Sequence, residues 1–325
     1  MTIENQIYNE GCLTGLKNIP DKSVNCCITS PPYFGLRDYG VDGQIGLEET
    51  PEEYVQKLVD VFREVKRVLR DDGTCYVNLG DTFNGTKVGN TETKKNKNVV
   101  TDTFKKEQCM SIGNKSLLMI PERFAIKMID NGWILRNQII WHKPNQMPQS
   151  ATDRFTVDFE KIFFFVKQST GYYFEQQLEP YTEPMNRWAG DNLEANGKSD
   201  WDNGTGQSTY RNRNMRPNPD GKNMRTVWSI NTKPFPDAHF AIFPETLVER
   251  MIKSGCPENG IVLDPFGGAG TTAVVSVKNN RKFILYELNK TYVDDIAWPR
   301  IQKEIEIKEL GYAKTKLNKE YPTLF

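Results

Sequence analysis

Two short segments hold residue types that could perform chemistry, and each follows an apolar run typical of a buried strand. The first segment is Thr29-Ser30-Pro31-Pro32-Tyr33, after the run Val24–Thr29. Because neither proline has an N–H group, the chain leaves the sheet there as a rigid turn with outward carbonyl groups. The Ser30 hydroxyl and the Pro31 carbonyl could both accept hydrogens from one amino group, while Tyr33 offers a flat face for stacking. On its own, this string also describes a rigid turn that binds nothing.

The second segment, Asp264-Pro265-Phe266-Gly267-Gly268-Ala269-Gly270-Thr271-Thr272, lies between a short apolar strand and a predicted helix. Glycine lets the backbone approach a ligand closely, and the start of a helix offers free N–H groups. Glu287 follows at the end of the next predicted strand, 17 residues after Gly270. An acid in that place can accept hydrogen bonds from ribose hydroxyls, so the pattern predicts an adenosine-containing cofactor. The alternative is a tight turn between strand and helix followed by an unrelated acid.

The charge of the second segment distinguishes between adenosine cofactors. Asp264 and Pro265 precede the glycines, whereas a dinucleotide-binding fold places Gly-x-Gly directly after the strand. A carboxylate there can meet the ammonium group of a methionine moiety but would repel a pyrophosphate. The sequence therefore favours S-adenosylmethionine over NAD or ATP. The predicted cofactor-binding residues are Asp264, Pro265, Phe266, Gly267, Gly268, Gly270, Thr271 and Glu287.

The elements that would position these segments alternate between strands and helices, which predicts an α/β fold. Thr50, Pro51 and Glu53 form the start signal of a helix whose apolar spacing continues to Leu69. Asp71-Asp72-Gly73 predicts a turn into a strand at 74–79. Further strands are expected at 133–141, 161–166, 261–263 and 283–286, and helices near 121–132, at 244–254 and after residue 271.

Composition divides the chain into three parts. We predict a catalytic half at 1–171 with a mobile loop at about 84–114, a target-recognition insertion at 172–233, and a cofactor-binding half at 234–325. The formal net charge is zero, so any contact with a nucleic acid must come from local basic patches. The candidates for that contact are Arg211, Arg213, Arg216 and Arg225. A solvated basic loop without a partner is the alternative.

Cysteine and histidine usage excludes several kinds of site. The six cysteines form no CxxC pair and only two histidines are present, so we expect no metal site and no disulfide framework. The longest strongly apolar run, 162–166, is too short to span a bilayer, and the first residues lack the apolar core of a signal peptide. These features predict a soluble cytoplasmic protein without membrane contact.

The segments 29–33 and 264–272 resemble the catalytic and cofactor-binding segments of the amino-methylating DNA methyltransferases. The catalytic motif of that family is (Asp/Asn/Ser)-Pro-Pro-(Tyr/Phe/Trp). The catalytic motif here precedes the cofactor loop by more than two hundred residues, an order similar to the circularly permuted β group of that family. Residues 137–154, 159–165 and 239–245 also resemble family segments. Glu10-Gly11-Cys12 stands where many relatives carry Gly-Asp-Cys, so no cofactor contact is assigned there. The resemblance implies a Rossmann-like sheet with an irregular recognition insertion, encoded by a prokaryote or a phage.

The resemblance also implies the reaction, which is methyl transfer from S-adenosylmethionine to the exocyclic amino group of a base flipped out of double-stranded DNA. The catalytic residues are then Ser30, Pro31, Pro32 and Tyr33, with Phe34 as a second stacking candidate. Serine is commonest at the first motif position among cytosine-N4 enzymes and aspartate among adenine-N6 enzymes. Cytosine N4 is therefore expected, and adenine N6 on the same fold is the alternative.

Other functions are compatible with parts of this pattern. Carbon-5 methylation of cytosine needs a nucleophilic cysteine, normally in a Pro-Cys pair, but Cys256-Pro257 has the reverse order and is predicted to be structural. Methylation of a protein glutamine or an RNA base, and non-catalytic binding of adenosine, stay open. The permuted order and the basic insertion favour DNA. A cognate restriction endonuclease would be a further partner, and the enzyme would act as a monomer or a homodimer.

Overall fold

An eight-stranded mixed sheet organises the larger of two units in the chain. The computed structural model describes residues 3–85, 112–180, 218, 220–232 and 243–320. The larger unit comprises Met1–Glu175 and Thr226–Phe325, and the smaller unit is Gln176–Arg225. The predicted α/β class is confirmed. The predicted division at residues 172 and 233 stays a prediction, and most of the expected mobile loop lies outside the described residues.

The order of the strands brings distant parts of the chain together. The strands of the large sheet are β1 (Gln6–Tyr8), β2 (Val24–Thr29), β3 (Leu69–Leu79), β4 (Ile134–His142), β5 (Phe159–Val166), β8 (Val227–Ser229), β9 (Ile261–Asp264) and β10 (Lys282–Tyr286). The strand order is β1-β10-β9-β2-β3-β5-β4-β8, and β5 alone among these strands runs antiparallel to its neighbours. The carboxyl ends of β2, β3, β4, β9 and β10 therefore lie at one edge. In the smaller unit, β6 (Leu178–Glu179) pairs with β7 (Lys222–Asn223).

Helices cover both faces of the sheet. They are α1 (Cys12–Gly15), α2 (Pro51–Val68), α3 (Ile120–Asp130), α4 (Glu245–Gly255), α5 (Thr271–Lys278) and α6 (Trp298–Glu320), with a π-helix at Tyr292–Ala297 before α6. Successive residues of a strand point to opposite faces. Accordingly, Cys75 and Val77 of β3 join the apolar core beneath α2 and α3, whereas the Tyr76 hydroxyl lies 2.9 Å from Oγ of Ser254 on α4. Among the described helices, none has the length and apolarity that crossing a membrane requires.

Helix α2 begins where its sequence signal predicts. The side chain of Thr50 accepts a hydrogen bond of 3.2 Å from the N–H of Glu53, and Pro51 occupies the first turn. These contacts satisfy backbone donors that would otherwise lack partners. The residues at helical spacing are all buried: Tyr54, Leu58, Val61, Phe62, Val65 and Val68.

The turn predicted at Asp71-Asp72-Gly73 is wrong, because β3 runs through it. Leu69 pairs with Val24 and Thr74 pairs with Cys26, so the intervening residues form a bulge within a continuous strand. A Cβ atom at Gly73 would lie 3.0 Å from the carbonyl oxygen of Arg70, which explains the glycine in this tight bulge. The turn-forming residue types mark the irregularity correctly, but the ladder resumes in the same direction beyond it.

Candidate active site

The two chemical segments lie side by side at the carboxyl edge of the sheet. Strands β2 and β9 are parallel neighbours, with Cys26 opposite Val262 and Cys27 opposite Leu263. At the end of this pairing, the Thr29 hydroxyl donates a 2.6 Å hydrogen bond to Oδ1 of Asp264. The segments that follow both strands therefore border one cavity of about 480 Å³. The predicted residues on its wall are Ser30, Pro31, Pro32, Tyr33, Asp264, Pro265, Phe266, Gly267, Gly268, Thr271 and Glu287.

Gly270 is also a predicted cofactor-binding residue. It does not line the cavity, and instead it packs against the helix that lies behind the glycine loop. It precedes helix α5 with φ of +75°, in the left-handed region that favours glycine. A Cβ atom at Gly270 would approach that of Ala297, on the π-helix, to 3.0 Å. Arg300 fixes the same loop by donating a hydrogen bond to the carbonyl oxygen of Ala269. The glycine loop is thus held against the last two helices.

The Glu287 carboxylate is fixed in place by two backbone donors. Its Oε2 accepts a hydrogen bond of 2.8 Å from the N–H of Gly268, and its Oε1 accepts one of 2.8 Å from the N–H of Asn289. Strand β1 contributes to this position, because the N–H of Glu287 donates to the carbonyl oxygen of Tyr8 at 3.0 Å. Burial raises the pKa of Glu287. The carboxylate is therefore preorganised, with lone pairs left to accept further hydrogen bonds from a ligand.

Asp264 joins the two segments as well as carrying charge. Its Oδ1 accepts from the Thr29 hydroxyl and from the N–H of Phe266, the latter at 3.0 Å, while Oδ2 accepts from the Thr272 hydroxyl at 2.7 Å. Burial raises the pKa of this carboxyl. Contact with an ammonium group stays a prediction. The sequence did not indicate the structural role of Asp264 as a link between β2, β9 and α5.

The predicted catalytic turn, 30–33, is held by residues from other elements. The Tyr54 hydroxyl on α2 donates a 2.7 Å hydrogen bond to the carbonyl oxygen of Pro32. The ring of Tyr33 packs so closely on Gly80 that a Cβ atom there would lie 2.5 Å from its Cε2. The expectation for Phe34 is wrong. This side chain is 1% exposed and packs on Tyr54 with ring centroids 5.3 Å apart, so it belongs to the core and cannot stack on a base.

Sequence reasoning missed a polar group beside the turn. The Tyr33 hydroxyl donates to Oε2 of Glu160 at 2.6 Å, and the side-chain amide of Asn78 donates to both of these oxygens. Lys143 forms an ion pair with Glu160. Asn78, Lys143 and Glu160 all lie on the cavity wall. The available signal was weak: Asn78 is a polar residue within the otherwise apolar run 75–79, and Glu160 is one near the start of a mainly apolar strand.

The described wall of the cavity includes none of the predicted DNA-contacting arginines. Arg211, Arg213 and Arg216 are outside the described residues, and Arg225 belongs to the smaller unit, where its guanidinium pairs with Glu179 at 2.6 Å. Cys256 is fully buried, and burial raises its pKa to about 12. Because a nucleophilic cysteine must be a thiolate, Cys256 is unsuited to attack a base.

The chain is similar to known proteins in both sequence and fold. The family model described as DNA methylase, for N6 and N4 enzymes, matches residues 24–298. The chain belongs to the N6/N4 DNA methylase family. This methylase is 37% identical to the type II methyltransferase M.Cfr9I of Citrobacter freundii, with 92% of this chain and 88% of that protein covered. It is 38% identical to the type II methyltransferase M.XycI of Xanthomonas campestris pv. cyanopsidis, with 91% and 87% covered. It is a type II DNA methyltransferase.

Solved structures share the fold of this methylase. The cytosine-N4-specific PvuII DNA methyltransferase superimposes with a TM-score of 0.58 at 19% identity, with 93% of this chain and 92% of that chain covered. A Thermus thermophilus protein described as a DNA modification methylase, solved with S-adenosyl-L-methionine, gives 0.56 at 21% identity, with 93% and 94% covered. The cofactor of the family is S-adenosylmethionine. The residues present fit it, because the cavity joins a glycine loop, the fixed carboxylate of Glu287 and a buried acid to the predicted catalytic turn.

Proposed function

We propose that this methyltransferase modifies the N4 amino group of cytosine in double-stranded DNA. The observation that carries the proposal is the position of Ser30, which opens the catalytic motif on the wall of the same cavity as the glycine loop and Glu287. Serine at this position is commonest among the cytosine-N4 members of the family. The cofactor supplies a methyl group on a positively charged sulfur atom.

The protein prepares the amino group for attack on this methyl group. The lone pair of an exocyclic amine is delocalised into the ring, which makes the nitrogen a poor nucleophile. Ser30 and the Pro31 carbonyl accept the two amino hydrogens, so the nitrogen becomes pyramidal and its lone pair localises. Ser30 is available for this because its own hydrogen points to the Tyr33 oxygen, 3.4 Å away. Placement of two reactants in this way can lower the barrier by about 7–11 kcal/mol.

Access to the amino group requires the base to leave the duplex. Flipping costs on the order of a few kcal/mol. Stacking on the ring of Tyr33 returns about 1–3 kcal/mol of that. The arginines at 211, 213, 216 and 225 contact DNA phosphates or base edges. As a type II methyltransferase, the enzyme protects the site of a cognate restriction endonuclease.

Nucleoside analysis tests this function. Purified enzyme is incubated with cofactor and DNA of known sequence, and the DNA is digested and analysed by mass spectrometry. The expected product is N4-methyldeoxycytidine, whereas N6-methyldeoxyadenosine would replace the cytosine assignment with adenine.

A pair of variants tests the location of the site. We expect Ser30→Ala to abolish product while cofactor affinity, measured by calorimetry, is retained. Ser23→Ala is the matched control, because the Ser23 hydroxyl donates to the nearby Pro20 carbonyl and does not border the cavity. Loss of cofactor affinity in Ser30→Ala equal to its loss of activity would show that the target pocket is misplaced.

A further inference from the structure

A chain of hydrogen bonds leads from Ser30 to a carboxylate on the cavity wall. The Ser30 hydroxyl lies 3.4 Å from the Tyr33 hydroxyl, which lies 2.6 Å from Oε2 of Glu160. These three residues come from the end of β2 and the start of β5, which are separated in the sheet by β3. All three border the cavity that holds the glycine loop.

The surrounding donors set the direction of the hydrogens in this chain. The amide nitrogen of Asn78 donates to the Tyr33 oxygen at 2.8 Å and to Oε2 of Glu160 at 2.7 Å. An ionised carboxylate can only accept, so the single proton of Tyr33 points to Glu160. The Tyr33 oxygen then receives the Ser30 hydrogen. Each hydroxyl therefore donates toward Glu160. Ser30 Oγ also accepts a long hydrogen bond of 3.5 Å from the Asn78 amide, and its second lone pair has the capacity to accept from an incoming amino group.

The carboxylate at the end of the chain is paired with a cation. Lys143 pairs with Oε1 of Glu160, and the two side chains are only 13% and 15% exposed. The ammonium group of Lys143 also lies 4.4 Å from the centre of the Trp141 ring, which fixes its position. In partly desolvated surroundings this pair is stronger than an exposed one. The arrangement places a charged proton acceptor two hydroxyl groups away from the target nitrogen.

We propose that Glu160 is the terminal proton acceptor of the methyl transfer and takes the proton lost by the target amino group through the hydroxyls of Ser30 and Tyr33. This inference rests on the proposed function in one respect: Ser30 must receive an amino group. It holds equally for cytosine and adenine.

The step balances in atoms and electrons. The target nitrogen forms a bond to the methyl carbon and becomes positively charged, while the electron pair of the broken carbon–sulfur bond stays on sulfur. An N–H bond of the amino group breaks as this charge develops, within the same transition state, and its electron pair stays on nitrogen. That proton binds Ser30 Oγ, the Ser30 proton moves to the Tyr33 oxygen, and the Tyr33 proton moves to Glu160. Both hydroxyls are restored, and Glu160 returns its proton to solvent between turnovers.

Tyr33 transmits the proton rather than storing it. Burial and the neighbouring Glu160 charge hold the pKa of the Tyr33 hydroxyl well above its usual range. Two of the described residues besides Tyr33 lie directly against Glu160. Lys143 faces Glu160 from the loop after β4, and Asn78 faces it from β3 without charge. Further titratable groups on the cavity wall are Glu10, Cys12, Arg37, Tyr39, Lys57, Asp264, Tyr286, Glu287 and Tyr292.

The test is the pH dependence of a single turnover, measured by rapid quench with enzyme in excess over DNA. The wild-type rate constant should fall at acidic pH, because only an unprotonated carboxylate can accept the proton. Glu160→Gln should lower the plateau about 10²-fold, the lower bound for a lost proton acceptor, and should lack the acidic decline. Tyr33→Phe keeps the ring but breaks the chain, so it should give the same loss. The double variant should be no slower than Tyr33→Phe alone.

A matched control separates this role from folding. Glu122 forms a similar ion pair with Lys161, with side chains 27% and 16% exposed, but neither residue borders the cavity. Glu122→Gln should keep the wild-type rate and profile. Cofactor and DNA affinities of Glu160→Gln should stay within about twofold, because proton acceptance acts on the transition state. A Glu160→Gln enzyme with the wild-type profile and rate, or additive losses in the double variant, would overturn the inference. Absence of methylated base with the wild-type enzyme would instead overturn the proposed function.

Discussion

Gly80 offers a direct test of how closely Tyr33 must be placed. This glycine follows strand β3, and its backbone does not adopt a positive φ, so alanine is compatible with its conformation. An added Cβ atom would nevertheless lie 2.5 Å from Cε2 and 2.9 Å from Cδ2 of the Tyr33 ring. Gly80→Ala therefore displaces the ring without changing any group that could bind the cofactor.

The size of the displacement follows from these contacts. To restore an ordinary separation of 3.4 Å, the ring edge must retreat by about 0.9 Å. A shift of that size would stretch the bonds from the Tyr33 hydroxyl to Glu160 and Asn78, now 2.6 and 2.8 Å, to or beyond the usual limit. Misplacement by about 1 Å can cost on the order of 10²-fold in rate. We expect kcat to fall by about that factor, equivalent to about 2.7 kcal/mol.

The assay combines steady-state methylation with calorimetric cofactor binding and thermal unfolding. In Gly80→Ala, kcat should fall while the cofactor Kd stays within about twofold, and overpacking should cost about 1–3 kcal/mol of stability. Gly113→Ala is the matched control, because a Cβ atom there meets nothing within 4 Å. A folded Gly80→Ala enzyme with kcat within about threefold of wild type would refute the claim that the position of the Tyr33 ring limits the reaction.

Three further predictions address the cofactor site, its buried acid and the basic segment. Glu287→Gln should raise the cofactor Kd at least about tenfold, because an amide NH2 would face one of two N–H donors that now bind the carboxylate; unchanged affinity in calorimetry would exclude Glu287 as a cofactor ligand. Burial raises the pKa of Asp264, so its contribution to the free energy of unfolding is full below the ordinary value of 3.8 and is lost as pH rises through the raised pKa. In denaturant titrations, the stability of wild type relative to Asp264→Asn should therefore decline as pH rises above about 4, and a constant difference would contradict this. Arg225→Ala should weaken DNA binding and reduce the slope of log K against log salt by about 1; an identical slope would show that Arg225 contacts no phosphate, and Arg63→Ala, an exposed arginine on α2, is the control.

Much of the fold could be predicted because its signals are local. Helix α2 has a capping residue, a proline in its first turn and apolar residues at helical spacing, so its start was predictable to the residue. Strand β1 was not predicted, because three residues, of which the first is polar, carry no periodicity. It exists because it pairs with β10, almost the whole chain away.

The site likewise contains residues that could be predicted from local sequence and residues that depend on contacts between distant parts of the chain. Ser30 to Tyr33 and the glycine loop could be predicted because prolines and glycines determine the local backbone conformation. Their shared cavity could be predicted because both segments follow strands whose ends meet at one edge of the sheet. Phe34 was misassigned, because adjacency to Tyr33 does not reveal that the turn directs the next side chain into the core. Asn78 and Glu160 were missed, because the hydrogen-bond partner of a polar residue within a strand can be identified only when the sheet order is known.

The pairing of β2 with β9 sets a condition on biosynthesis. One edge of β2 remains open on the ribosome until Ile261–Asp264 has been made, because its partner on that side is encoded more than two hundred residues downstream. At about 5–20 residues per second, this interval lasts about 10–50 s. During it, an apolar strand with an unpaired edge is available to other nascent chains. The permuted motif order thus makes late translation, rather than early folding, the moment at which the enzyme becomes competent.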